Sequence, residues 1–160
     1  MVAHTRETVR ARVADWPVAA ILVEDEADKI DAFMTADAAL AASGTATLEL
    51  GMAGLPSVVA YKIGGIMGAL LMRVLRVPSA VIVNLVLDAP IIQEFLEDRC
   101  TGDLITPAVY TLLADAAVNN EKRAQLAPLA DILGKVGKTP GASAAEIIQS
   151  LMQKSGRARP

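Results

Sequence analysis

The chain has few of the residues that build disulfides, metal sites and nucleic-acid interfaces. It contains one cysteine and one histidine in 160 residues, so an internal disulfide is excluded and no Cys and His set stands at metal-ligand spacing. Its 15 basic residues are outnumbered by 18 acidic ones, for a net charge of -3, which excludes a broad basic surface for phosphate backbones. The composition therefore predicts a protein of a reducing compartment, without a metal and without a nucleic-acid partner.

Aromatic residues are also scarce, at 3% of the chain, while hydrophobic residues reach 53%. This balance excludes disorder and predicts a core of aliphatic side chains, in a chain long enough for one α/β domain. Residues 1–15 lack the apolar core of a secretory signal. The hydrophobic stretch 63–87 is interrupted by Arg73, Arg76 and Pro78, so a membrane span is not predicted either.

Short apolar runs alternate with helical patterns over residues 1–100, which predicts a parallel sheet with crossover helices. Strands are predicted at 19–23, 38–42, 57–61 and 80–84. Helices are predicted at 5–16, from 25 onward, and at 48–53, 66–77 and 91–98. After residue 100 only helices are predicted, at 106–117, 120–133 and 143–153. We therefore predict an α/β fold, a Rossmann-like parallel sheet flanked by helices (1–100), with a helical C-terminal appendage (101–153) and a tail (154–160).

Ligands bind at the carboxyl ends of parallel strands, which directs attention to the loops after residues 42, 61 and 84. Ser43, Gly44 and Thr45 place two hydroxyls and a glycine at a predicted helix N-terminus, where the helix dipole favours an anion such as a diphosphate. Glu49 lies about one and a half turns further on, in reach of ribose hydroxyls. The structural alternative is that Ser43 caps the helix and Glu49 is a solvated surface residue.

Two contiguous segments carry a family resemblance. The sequence ASGTATLEL at 42–50, followed by GLPSVVAYK at 54–62, resembles the "SGTATLE … G-P-x-VV-x-Y-[RK]" signature of lipid-A-disaccharide synthases. The segments 83–85 and 93–96 resemble the next block of that family in order and spacing. The similarity extends from about residue 4 to residue 152.

The resemblance implies the C-terminal, nucleotide-sugar-binding half of a GT-B glycosyltransferase, in which two Rossmann-like domains face each other across a cleft. The implied reaction transfers 2,3-diacylglucosamine from UDP-2,3-diacylglucosamine to 2,3-diacylglucosamine 1-phosphate (lipid X), with inversion and without a metal or other cofactor. The residues that match donor-binding or cleft-facing positions are Ser43, Gly44, Thr45, Glu49, Asn84 and Glu94. We expect the acceptor half and its catalytic base to be missing, and the chain alone to be inactive.

The chain departs from the family pattern around the later positions. Ile82 and Val83 stand where Leu-Pro is expected, Asp88 and Ala89 where Gly-Arg often follows, and Gln93 where proline is usual. An arginine at position 89 would have offered a diphosphate contact, which this chain lacks. The resemblance therefore implies less about Asn84 and Glu94 than about the first loop.

Three further interpretations stay open. Arg73 and Arg76 either reach lipid head groups, as in a cytoplasmic enzyme peripheral to the inner membrane, or mark the solvent edge of a packed helix. The chain could instead be a non-catalytic truncated interaction module that associates with another copy or with a missing N-terminal half. It could also be another UDP-N-acetylglucosamine-using enzyme of the GT-B fold.

Overall fold

The computed structural model describes residues 3–42, 44–64, 78–133 and 140–156. In these ranges three strands and several helices follow one another along the chain. The strands are β1 (Ala39–Ala41), β2 (Ser57–Tyr61) and β3 (Gln93–Leu96). The helices are α1 (Ala3–Val13), α2 (Glu26–Thr35), α3 (Thr45–Met52), α4 (Ile82–Val86), α5 (Gly102–Ala114), α6 (Ala116–Leu126), α7 (Pro128–Leu133) and α8 (Pro140–Gly156).

The three strands form a parallel sheet in the order β1-β2-β3. Ala41 pairs with Val59, and Val59 pairs in turn with Glu94, so these residues lie level across the sheet. The carboxyl end of β2 is level with that of β3, because Tyr61 pairs with Leu96. The predicted α/β class with a parallel sheet and flanking helices is therefore confirmed.

The core lies on both faces of the sheet. Successive residues of a strand point to opposite faces, and Val58 and Val59 of β2 are both fully enclosed. Val59 belongs to a cluster with side chains of α4, α6 and α7, whereas Val58 packs with Phe95 of β3 and Leu112 of α5. A strand covered on both faces explains why residues 57–61 form a continuous apolar run without alternation.

Helix α3 approaches its neighbours closely because it carries a glycine on its buried side. A Cβ atom on Gly51 would lie 2.7 Å from Cδ2 of Leu129 in α7 and 3.0 Å from Cγ2 of Val83 in α4. Leu129 and Val83 are both 0% exposed. The absence of a side chain at Gly51 therefore sets how near α3 sits to α4 and α7.

Three predicted elements are wrong. Residues 19–23 form no strand, and Ile21 is 89% exposed, so this apolar run has no sheet partner. The strand predicted at 80–84 is replaced by α4, and the helix predicted at 91–98 is replaced by β3 followed by a 3₁₀ turn at Glu97–Arg99. The helix predicted at 66–77 lies outside the described residues. The helices predicted at 106–117 and 143–153 are α5 and α8 with shifted bounds, and the helix predicted at 120–133 is divided into α6 and α7.

None of the helices in the described ranges is both long and apolar enough to cross a bilayer.

Candidate functional site

The turn between β1 and α3 lies open at the carboxyl end of the sheet. Its central residue, Gly44, has φ 143° and ψ -164°, a conformation that only glycine adopts readily. Gly44, Thr45 and Ala46 are exposed, and a Cβ atom on Gly44 would meet nothing within 4 Å. The start of α3, at Gly44, Thr45 and Ala46, therefore faces solvent, as an anion site at a helix N-terminus requires.

Two contacts of Thr47 fix the shape of this turn. The buried Thr47 hydroxyl donates to the Gly44 carbonyl oxygen at 2.7 Å, and the Thr47 amide donates to the same oxygen at 3.2 Å. Gly44 occupies the N-cap position and has no side chain to cap the helix. Thr47 thus holds the turn from its buried side. The solvent-facing side of the turn stays open to a ligand. Ser43 lies outside the described residues.

Glu49 lies on the exposed side of α3 and is paired with a cation from α2. Lys29 Nζ lies 3.0 Å from Glu49 Oε2 and 2.6 Å from Glu26 Oε1. Hydrogen bonds to Glu26 and then to Glu49 raise the pKa of Lys29 above its ordinary value. A ribose that used the Glu49 carboxylate would therefore share it with the Lys29 ammonium group.

Asn84 lies inside α4, whereas the sequence predicted it as the last residue of a strand at 80–84. It is 5% exposed. Its Oδ1 accepts from the Ile92 amide at 2.9 Å, and its Nδ2 donates to the Ile92 carbonyl oxygen at 2.8 Å. This pair of bonds fastens α4 to the chain that enters β3, so Asn84 has a structural task whatever else it contacts.

Glu94 lies beside Asn84. Its Oε1 accepts from Asn84 Nδ2 at 3.1 Å and from the Ser79 hydroxyl, and its Oε2 accepts from the Ala80 amide at 2.8 Å. The three side chains line a cavity of about 430 Å³. The other residues that line it are Pro78, Leu85, Asp88, Ala89 and Pro90.

Sequence reasoning missed Glu97, the first residue after β3. Its two carboxylate oxygens accept from the amides of Ile63, at 2.8 Å, and Gly64, at 3.1 Å, which belong to the segment that leaves β2. Glu97 has φ 48°, in the left-handed region that non-glycine residues rarely occupy. No local motif in the sequence marks it, because its partners are more than 30 residues away.

The remaining predicted residues, Arg73 and Arg76, lie outside the described residues. Within the described ranges, no group of three or more His, Cys, Asp and Glu side chains could hold a metal ion. The described site therefore consists of two parts, the open turn at Gly44 and Thr45 and the cavity at Asn84 and Glu94, with Glu49 on the helix that begins at the turn.

Comparisons with known proteins agree on one family. A family model described as lipid-A-disaccharide synthetase matches residues 5–148. The chain is 40% identical over 154 residues to a lipid-A-disaccharide synthase of Bradyrhizobium diazoefficiens, covering 96% of this chain and 39% of that protein. It is 40% identical over 148 residues to that of Rhodospirillum centenum, covering 92% and 37%. The chain thus spans about 39% of the length of such relatives, and it belongs to the lipid-A-disaccharide synthetase family.

Proposed function

We propose that this chain is the nucleotide-sugar-binding part of a lipid-A-disaccharide synthase. The reaction would transfer 2,3-diacylglucosamine from UDP-2,3-diacylglucosamine to 2,3-diacylglucosamine 1-phosphate (lipid X), with inversion and without a metal. The observation that carries the proposal is the open Gly44-Thr45 turn at the carboxyl end of β1, in a chain similar to these synthases. Family similarity supports the reaction, and the turn supports the place of the donor.

In this proposal the site residues have separate tasks. The first turn of α3, with the Thr45 hydroxyl and Ser43, binds the diphosphate of the donor, because amide groups and the helix dipole attract an anion there. Glu49 accepts hydrogen bonds from the ribose. Asn84 and Glu94 form the wall of the cavity that takes the sugar, with Asn84 acting mainly through the position of Glu94.

The proposal also predicts that the chain alone does not turn over. The relatives are more than twice as long as the matched region, and transfer requires donor and acceptor to be held together in one cleft. We therefore expect UDP binding without transfer in the isolated chain. Added acceptor should not change this result, because the catalytic base belongs to the other half.

A UDP titration tests the donor site directly. Backbone amide signals of residues 44–47 should shift as UDP is added, while those of α6 should not. Gly44→Ala should weaken UDP binding at least about tenfold, because a side chain cannot adopt the Gly44 backbone without strain. Gly54→Ala is the matched control, since Gly54 also has positive φ, 65°, and open space but lies before β2, at the other end of the sheet. Unchanged amide signals at saturating UDP would reject the donor site.

Membrane association is a separate part of the proposal. Lipid substrates and the arginines Arg73 and Arg76 support a cytoplasmic protein that contacts the inner-membrane surface. Anionic vesicles should carry the chain into the pellet when they are sedimented. The double variant Arg73→Gln, Arg76→Gln should stay in the supernatant. Equal sedimentation of both proteins would reject the role of the two arginines.

A second candidate function is an interaction module. It is favoured by α8, whose Ile147, Ile148, Leu151 and Met152 are all exposed, a face that another copy or the N-terminal half of the enzyme would cover. Sedimentation velocity over a range of concentrations, with and without UDP, separates the two functions. A chain that self-associates and binds no UDP would favour the module.

A further inference from the structure

We infer that Glu97 is a positioning residue for the nucleotide site, holding the segment that leaves β2 in the shape that donor binding requires. The inference rests on the proposed function, because it assumes that a UDP-sugar occupies this edge of the sheet. It adds a residue that neither the sequence motif nor the family match identifies.

Glu97 stands at the correct end of the sheet for this task. Tyr61 of β2 pairs with Leu96 of β3, so Glu97 is the first residue beyond the carboxyl end of β3, beside the exit of β2. The exit of the neighbouring β1 leads into the Gly44 turn. In a parallel sheet a ligand binds among the loops that follow the carboxyl ends of the strands. The segment with Ile63 and Gly64, which Glu97 holds, is one of these loops.

The contact is a two-point clamp made by one carboxylate. Oε1 accepts from the Ile63 amide at 2.8 Å and Oε2 accepts from the Gly64 amide at 3.1 Å. These amides lie beyond the last paired residue of β2 and have left the sheet ladder. Hydrogen bonds from amides to a charged carboxylate are stronger than those between neutral groups, so the clamp is well suited to fix a segment that the sheet no longer holds.

The backbone at both ends of the clamp is unusual. Glu97 has φ 48° and Gly64 has φ 76°, both in the left-handed region. Glycine adopts this conformation freely, whereas a glutamate does so at a cost in strain. Strained residues persist where the surrounding structure fixes them, and here the two amide contacts of the side chain supply that constraint.

A purely electrostatic role and a positioning role of Glu97 predict opposite changes in UDP affinity when its carboxylate is removed. A carboxylate near a diphosphate repels it, so removal of Glu97 should strengthen UDP binding if charge were the main effect. If Glu97 instead pre-orders the exit of β2, its removal leaves that segment to be ordered on binding. Ordering the backbone of one residue corresponds to about a tenfold weaker affinity. The sign of the change therefore separates the two roles.

The test measures UDP affinity of the 160-residue chain by calorimetry, together with hydrogen exchange of the Ile63 and Gly64 amides. Glu97→Ala should weaken UDP binding about tenfold and abolish protection of both amides. Glu97→Gln keeps one acceptor and should fall between wild type and Glu97→Ala. Glu121→Ala is the matched control, because Glu121 accepts a side-chain hydrogen bond from Gln125 on α6, away from this edge, and its affinity should equal that of wild type.

A further variant separates positioning from fold stability. Glu97→Gly removes the carboxylate but relieves the left-handed strain, so it should melt at a higher temperature than Glu97→Ala and still bind UDP as weakly. UDP affinity of Glu97→Ala equal to that of Glu121→Ala, or tighter than wild type, overturns the inference while the proposed function stands. A wild-type chain that binds no UDP overturns both.

Discussion

A methyl group added at Gly51 is expected to destabilise the fold, although alanine is the better helix former by about 1 kcal/mol. The new Cβ atom would lie 2.7 Å from Leu129 Cδ2 and 3.0 Å from Val83 Cγ2, against about 3.5–4.0 Å for relaxed carbon contacts. Both neighbours are 0% exposed, so neither can swing into solvent. Overpacking of this kind costs about 1–3 kcal/mol, and we expect the upper part of that range. The net loss for Gly51→Ala is therefore about 1–2 kcal/mol.

Urea unfolding followed by circular dichroism measures this loss, and two further proteins make it specific. Gly102→Ala, where a Cβ atom would meet nothing within 4 Å, should be neutral or more stable by up to about 1 kcal/mol. In the background of Leu129→Ala the added methyl group enters vacated space, so Gly51→Ala should cost at least about 1 kcal/mol less there than in wild type. A Gly51→Ala protein as stable as wild type would refute the argument that this glycine sets the helix spacing.

Three other predictions concern stability and are measured by the same unfolding assay. The Arg123 guanidinium donates to the carbonyl oxygens of Ala36 at 3.0 Å and Gly54 at 3.3 Å. Arg123→Leu should therefore lower the free energy of unfolding by about 2–4 kcal/mol without changing UDP affinity, and a loss below about 1 kcal/mol would contradict this prediction. The buried Ser57 hydroxyl has no hydrogen-bond partner in the described part of the chain, so Ser57→Ala should be neutral or stabilising by up to about 1 kcal/mol; clear destabilisation would reveal a partner. Asp88 has φ 48°, in the left-handed region that glycine adopts without strain and alanine does not. Asp88→Gly should therefore be more stable than Asp88→Ala by about 1 kcal/mol, and equal stability would show that the backbone at this position leaves the left-handed region in the alanine variant.

The sequence predicted β1 and β2 well and β3 badly, for a physical reason. β2 lies between two strands and is covered on both faces, so its continuous apolar run has one simple interpretation. Residues 80–98 contain two short apolar runs, and a short run fits a strand or a buried helix equally. What decides between them is the Asn84 amide bonded to the Ile92 main chain, together with pairing to β2. The first contact joins residues eight positions apart and the second joins residues about 35 positions apart, and neither leaves a periodic signal in the sequence.

In the candidate site too, features set by a short stretch of sequence could be predicted, and features set by long-range contacts could not. The Gly44 turn was predictable because a strand end, a glycine and a helix start occupy one short segment of the sequence. The ion pair between Glu49 and Lys29 was not, since 20 residues separate the partners. The clamp of Glu97 on Ile63 and Gly64 spans a still longer distance. Sequence reasoning therefore predicted the turn between β1 and α3, and missed the long-range contacts of Glu49 and Glu97.

The two parts of the candidate site differ in charge, and they therefore suit different chemical groups of a ligand. The cavity beside Glu94 is lined by two carboxylates, those of Asp88 and Glu94, and none of the described residues that line it is basic. A diphosphate in this cavity would face like charge in a partly enclosed space, which is unfavourable. Carboxylates in such a cavity instead suit the hydroxyl groups of a neutral sugar, to which they are acceptors. If the chain binds the donor as proposed, the absence of arginine at position 89 fits a sugar beside Glu94 and a diphosphate at the start of α3, where the helix dipole supplies the positive end that the cavity lacks.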